Sequence, residues 1–117
     1  MPQLDKVTIL LVEDDPGHAR LIEKNLRRAN VTNRIDHVTD GQQAVDYLFA
    51  EGAYANRQHP SLLLVLLDLN MPVLDGYQVL KRMKSDERTK KIPVIILTTT
   101  DDAREVARCY ELGCNVY

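Results

Sequence analysis

The sequence predicts an α/β fold, a parallel β-sheet with helices on both faces. Three observations carry that prediction. Short β-rich runs alternate with helical patterns along the chain. Three of the four runs are almost wholly apolar, as strands buried on both faces should be. Each helical pattern also opens on an aspartate suited to capping.

The runs are residues 7–12 (VTILLV), 34–38 (RIDHV), 62–67 (LLLVLL) and 94–98 (VIILT). The run at 34–38 is more polar than the others, which places it toward a sheet edge. Between the runs, apolar residues recur at helical spacing. The sets are Leu21/Ile22, Leu26 and Ala29; Ala44/Val45 and Leu48/Phe49; Val79/Leu80 and Met83; and Ala103, Val106/Ala107 and Tyr110. Asp15 precedes Pro16, a cap followed by a residue suited to the first turn. Asp40 with Gln43, Asp75 with Gln78, and Asp102 with Glu105 are variants of the reciprocal capping box. Gly113 follows the last pattern, where a left-handed residue commonly ends a helix. Residues 50–61 (AEGAYANRQHPS) are the longest predicted loop.

A chain of 117 residues makes one domain, spanning 1–117, able to bury a core without staples. The net charge is −2 and no long basic stretch occurs, so nucleic-acid binding lacks its electrostatic footprint. No apolar run approaches the length of a membrane span, and the N-terminus has no signal-peptide pattern. The expectation is a soluble, cytoplasmic chain. Cys109 and Cys114 do not form a zinc pattern. His18, His37 and His59 form no i, i+4 pair and are expected in structural or surface roles.

In an open parallel α/β sheet, ligands bind beyond the carboxyl ends of the strands. Glu13-Asp14-Asp15 follows the first run, Asp68 follows the third, and Thr98 closes the fourth. If the first and third runs are neighbours, Glu13, Asp14 and Asp68 converge. Three converging carboxylates repel, and a hard divalent cation is the natural remedy. For Mg²⁺, Asp14 and Asp68 are the expected direct ligands and Glu13, with its longer arm, acts through water. The backbone carbonyl of Asn70 completes the protein's share. Asp68 is then placed to act as a nucleophile in phosphoryl transfer, with Thr98 donating to a phosphoryl oxygen. A lone acid after a strand is usually a helix cap, which suffices for Asp15 and Asp75. It does not suffice for Asp68, because Asn70, Met71 and Pro72 intervene before any helix.

At these residues the sequence closely resembles the receiver domain of bacterial two-component response regulators, over essentially the whole chain. ILLVEDD (9–15) resembles the family's first strand with its acidic pair, Glu13 and Asp14. LLDLNMPVLDGY (66–77) resembles the phosphoacceptor motif, with Asp68 as acceptor. IPVIILTTT (92–100) resembles the strand bearing the hydroxyl residue, Thr98. LGCNVY (112–117) resembles the approach to the fifth strand, with Tyr117 at the aromatic switch position. The resemblance implies a flavodoxin-like, doubly wound parallel sheet of five strands in the order 2-1-3-4-5.

The implied function is a signalling switch rather than an enzyme acting on a separate substrate. With Mg²⁺, the domain catalyses its own phosphotransfer from a phosphohistidine on a sensor histidine kinase, then loses the group slowly to water. Residues 50–61 and 80–100 are similar to single-domain receivers that partner bacterial phytochromes. Readout is expected on the face of the fourth helix and fifth strand, also the expected place for pairing with a second copy. The family's lysine after the aromatic switch, and its fifth helix, have no counterpart up to Tyr117. The sheet is thus expected to be cut short at the start of its fifth strand. A chain ending there is expected to bare an apolar face and to pair, swap or aggregate. Two other readings are weighed. A metal-dependent aspartyl-phosphate phosphatase would carry a second aspartate where this chain has Asn70. A degenerate receiver used only for binding fits the absent lysine but not the intact Glu13, Asp14, Asp68 and Thr98.

Overall fold

β1 (Thr8–Val12) is buried along its whole length. It has a parallel neighbour on each side, β2 (Ile35–Val38) and β3 (Leu63–Asp68). β4 (Val94–Leu97) and β5 (Asn115–Val116) extend the sheet. The order is β2-β1-β3-β4-β5, as expected, with the polar β2 at an edge. The computed structural model describes residues 7–55, 62–68, 76–97 and 115–116. Asp75, Asp102, Gly113, both cysteines and the predicted helix around 103–110 lie outside the described residues.

Among the described residues three helices connect the strands: α1 (Pro16–Arg28), α2 (Gly41–Phe49) and α3 (Gly76–Lys84). The first two start where the sequence predicts. Asp15 caps α1 by accepting from the amides of Gly17 and His18 at 2.9 and 3.3 Å. Asp40 caps α2, accepting from the Gln43 amide at 2.8 Å. The return bond of the expected capping box is displaced by one residue: Gln43 Oε1 accepts from the amide of Thr39 at 2.9 Å.

Alternation along the strands splits the core between two faces. Leu10, Val12, Val65, Leu67, Val94 and Ile96 face α2 and α3, meeting Val45, Leu48, Val79, Leu80 and Met83. Ile9, Leu11 and Leu66 face the other way and meet Ala19, Ile22 and Leu26 of α1. Two residues of the first predicted helical set depart from expectation. Leu21 is 54% exposed, since Ile22 and Leu26 take the inward positions. Ala29 is the cap rather than a packing residue. On the α1 face the described residues leave an apolar groove of ≈ 720 Å³, lined in part by Ile22, Leu26, Leu64, Leu66 and Ile95.

The loop predicted over 50–61 begins with structure of its own. Ala50 ends α2 in the left-handed conformation, and a 3₁₀ turn follows over Gly52–Tyr54. Gly52 has φ +54°, and a Cβ there would meet Asp46 Oδ2 at 2.9 Å, so glycine is favoured at this position. The α3–β4 connection is tied down by buried Thr89, whose hydroxyl donates to Met83 O at 2.7 Å. Arg82 and Arg88 both lie over the Phe49 ring, 5.0 and 4.9 Å from its centroid.

Candidate functional site at the carboxyl ends of the strands

Parallel pairing sends every strand's carboxyl end to one edge of the sheet. Val12 is paired with Leu67, and Asp68 is paired with Leu97. The next step along β1 sets the backbone of Glu13 beside that of Asp68, which is the last residue of β3. The sequence reading of β1 and β3 as neighbours holds, and the backbone of the acidic run meets that of Asp68. Asn70, Thr98 and Tyr117 lie outside the described residues. Thr98 follows directly on Leu97, the partner of Asp68.

Of the three acids after β1, only Glu13 is buried, at 2% exposure; Asp14 and Asp15 are exposed. Strand parity continued past Val12 explains this. Glu13 falls on the side of Ile9 and Leu11, toward α1, and meets the first turn of that helix. Its polar atoms are almost all engaged. The amide donates to Val38 O at 3.1 Å, and the carbonyl accepts from His37 Nε2 at 2.8 Å. Oε1 lies 3.1 Å from His18 Nδ1 and 3.3 Å from the Asp15 amide. Oε2 is buried and has no hydrogen-bond partner.

A buried carboxylate oxygen without a partner is costly, and native proteins seldom leave one so. A cation held among these acids would satisfy it through one of its bound waters, and oxygen donors are what a hard divalent cation takes. The residues present therefore fit such an ion. Among the described residues, no three His, Cys, Asp or Glu side chains form a metal-holding group by themselves.

His18 and His37 take the structural or surface roles expected of them, and both lie against Glu13, a placement the sequence reading did not foresee: His18 Nδ1 is 3.1 Å from Oε1, and the exposed His37 donates to the carbonyl. The signal for His18 was present: Asp15 as cap puts residue 18 in the first helical turn, above the strand end. His37 gave no such signal, since its contact depends on the β1–β2 pairing.

The family model of the response regulator receiver domain matches residues 9–117. The chain belongs to that family. Rcp1, a response regulator from Synechocystis sp. (strain ATCC 27184 / PCC 6803 / Kazusa), is 38% identical over 109 residues, covering 93% of this receiver and 73% of Rcp1. The Mn(2+)-bound form of Rcp1 has a TM-score of 0.83, over 94% of this chain and 78% of that one. A response regulator receiver domain from Rhodospirillum rubrum is 54% identical with a TM-score of 0.84, covering 94% of this chain and 78% of its own. The phosphorylated cyanobacterial phytochrome response regulator RcpA is 42% identical with a TM-score of 0.82, covering 94% of this chain and 77% of its own. The receiver is thus a two-component signalling domain with the flavodoxin-like sheet. No helix among the described residues is long and apolar enough to cross a membrane.

Proposed function

We propose that residues 1–117 act as one cytoplasmic receiver domain in which Asp68 accepts a phosphoryl group from a phosphohistidine on a sensor histidine kinase. The observation that carries this reading is Glu13, buried beside the end of β3 with one carboxylate oxygen unpartnered. That is the arrangement of a protein side of a cation site, next to the strand end where Asp68 stands. Asp14, Asp68 and the Asn70 carbonyl are the proposed direct ligands of Mg²⁺, with Glu13 acting through water. Bound there, the cation offsets charge on the transferring phosphoryl group. The naming of one similar structure as Mn(2+)-bound and of another as phosphorylated supports both halves of the proposal.

In the transfer, a carboxylate oxygen of Asp68 attacks phosphorus. The P–N bond to the kinase imidazole breaks with its electron pair going to nitrogen, and an acyl phosphate is left on Asp68. Thr98 donates a hydrogen bond to a phosphoryl oxygen, and Tyr117 turns into the space that Thr98 vacates. The change is read on the face of the fourth helix and fifth strand, and its size is limited by how differently the two states hold the phosphoryl group. Similarity to a phytochrome response regulator supports a bacterial phytochrome as the kinase partner.

Incubation with Mg²⁺ and a small-molecule phosphodonor, followed by mass measurement, tests the reading. One phosphoryl group is expected, with borohydride trapping and peptide mapping locating it at Asp68. Asp68→Asn should abolish it. A label on Asp14 or Asp15, or no label with Mg²⁺ bound, would overturn the assignment.

A further inference from the structure

β1 and β2 run parallel in a register that carries Ile9 opposite Ile35 and Val12 opposite Val38. One step past that register, the Glu13 amide still donates to Val38 O at 3.1 Å. β2 ends at Val38, yet the Glu13 carbonyl is also met from β2. The donor there is a side chain: His37 Nε2 lies 2.8 Å from the Glu13 oxygen. A carbonyl only accepts, so the proton of this bond sits on Nε2. The distance is at the short end of the usual range for an N–H···O bond. Both backbone groups of Glu13 are thus held by β2, one by a backbone carbonyl and one by an imidazole that is itself exposed.

The Glu13 carbonyl and the Asp14 amide are the two ends of one peptide unit, and the plane of that unit includes the Asp14 Cα. A hold on the carbonyl is therefore a hold on the plane from which Asp14 departs. Asp14 is exposed, unlike Glu13, so its direction is set by the backbone that carries it rather than by burial. We infer that His37 is a positioning residue for the cation site: by holding the Glu13 carbonyl, it fixes the peptide plane that carries Asp14 and so aims the Asp14 carboxylate. This rests on the proposed cation site, in which Asp14 is a direct ligand, and adds a residue to it. It also ties that site to β2, a strand that supplies none of the proposed ligands. Groups that orient a metal site without touching the ion commonly change affinity by about 10–100-fold when removed. His37 acts through a backbone plane and stands in solvent, so a smaller loss is expected, about three- to tenfold, the scale of one net hydrogen bond.

Two substitutions isolate the bond. The Nε2 of glutamine stands as many bonds from Cα as the Nε2 of histidine, so His37→Gln keeps an N–H donor within reach. His37→Met has the same length and no donor. Mg²⁺ titration by calorimetry at one alkaline pH reads the affinity. In the metal-free proteins, thermal melts read the fold and the amide resonance of Asp14 reads the peptide plane. The expected result for His37→Met is binding about three- to tenfold weaker, with the Asp14 amide shifted. His37→Gln should recover the wild-type affinity to within about twofold and return the resonance toward its wild-type position. The metal-free melts of both should stay close to wild type. Wild-type or tighter binding in His37→Met would overturn the inference, whatever its melt. Equal weakness in both variants would overturn it too, because the donor would not be the cause. So would weaker binding with the Asp14 amide unmoved, because the peptide plane would not be the route. Asp14→Asn separates this from the larger reading. If the wild type takes up no Mg²⁺, or Asp14→Asn binds as tightly, the cation site itself is wrong and the role of His37 falls with it.

Discussion

Among the described residues the two faces of the sheet are packed to different standards. The face under α2 and α3 joins residues of four strands and two helices into one continuous buried cluster, with Leu10, Val12, Val65, Leu67, Leu80 and Met83 all inaccessible. On the α1 face, Leu11 is equally inaccessible, but Ile22, Leu26, Leu64 and Ile95 are only partly buried and line the groove. The same strands supply both faces, so strand composition does not explain the difference. It follows from which helices, among the described residues, stand over each. Close-packed regions resist any change in volume, whereas partly filled ones lose less on truncation and tolerate additions.

That contrast can be measured, and the largest effect should come from truncation. Leu80→Ala on the sealed face is expected to cost about 2–5 kcal/mol in denaturant unfolding. Ile95→Ala in the groove should cost clearly less, because part of its surface already meets solvent. Equal costs would mean that the groove is filled in solution. Enlargement should come next. Val65→Leu forces an added methylene into a site with no exposure and is expected to cost about 1–3 kcal/mol. Leu64→Phe, on the neighbouring residue but facing the groove, should stay within about 0.5 kcal/mol of wild type.

Helix caps should not distinguish the faces, because a cap acts on its own first turn. Asp15→Ala and Asp40→Ala are each expected to cost about 1 kcal/mol. A much larger loss for one of them would show that its helix depends on the cap more than on its packing. The smallest effect concerns Asp86, beside α3. The Arg88 side chain, bonded to it at 3.0 and 3.1 Å, holds the Asp86 carboxyl below its ordinary value of 3.8, helped by the Arg88 amide. The folded state thus binds fewer protons there than the unfolded one. Its contribution is present above the ordinary value and is lost as pH falls through the lower, folded value. Asp86→Asn should flatten the acid limb of stability slightly between those two values, and less so in 1 M salt, where exposed pairs are screened.

Much of this was legible in the sequence because parallel strands buried on both faces must be apolar throughout. That marks residues 7–12, 62–67 and 94–97 with little ambiguity, and leaves the polar β2 for an edge. The caps at Asp15 and Asp40 were legible for a related reason: a cap and its target lie within one turn. Asp68 stood out because an acid ending a buried strand has no local use. What was not legible depends on parts of the chain far apart in sequence. Three acids in a row do not announce that only Glu13 is buried; strand parity decides that, and parity needs the exact strand end. The hold of His37 on the Glu13 carbonyl requires β2 to lie beside β1. The exposure of Leu21 turns on a rotation of α1 that Leu21 and Ile22, adjacent and both apolar, leave undecided.

The position of β1 between β2 and β3 has a consequence for how the chain folds. Ile9 pairs with Ile35 on one side and with Leu64 on the other, roughly twice as far along the chain. Each doubling of a loop adds only about 0.6 kcal/mol of closure entropy, so the second pairing is not much less stable for being distant. It is nonetheless the slower to find, since contacts of long sequence separation set folding rates. During synthesis the β1–α1–β2 unit emerges complete while the other edge of β1 still waits for residues 63–67. For that interval one side of β1, which the finished sheet covers with β3, is an open apolar edge, the condition in which newly made chains pair wrongly.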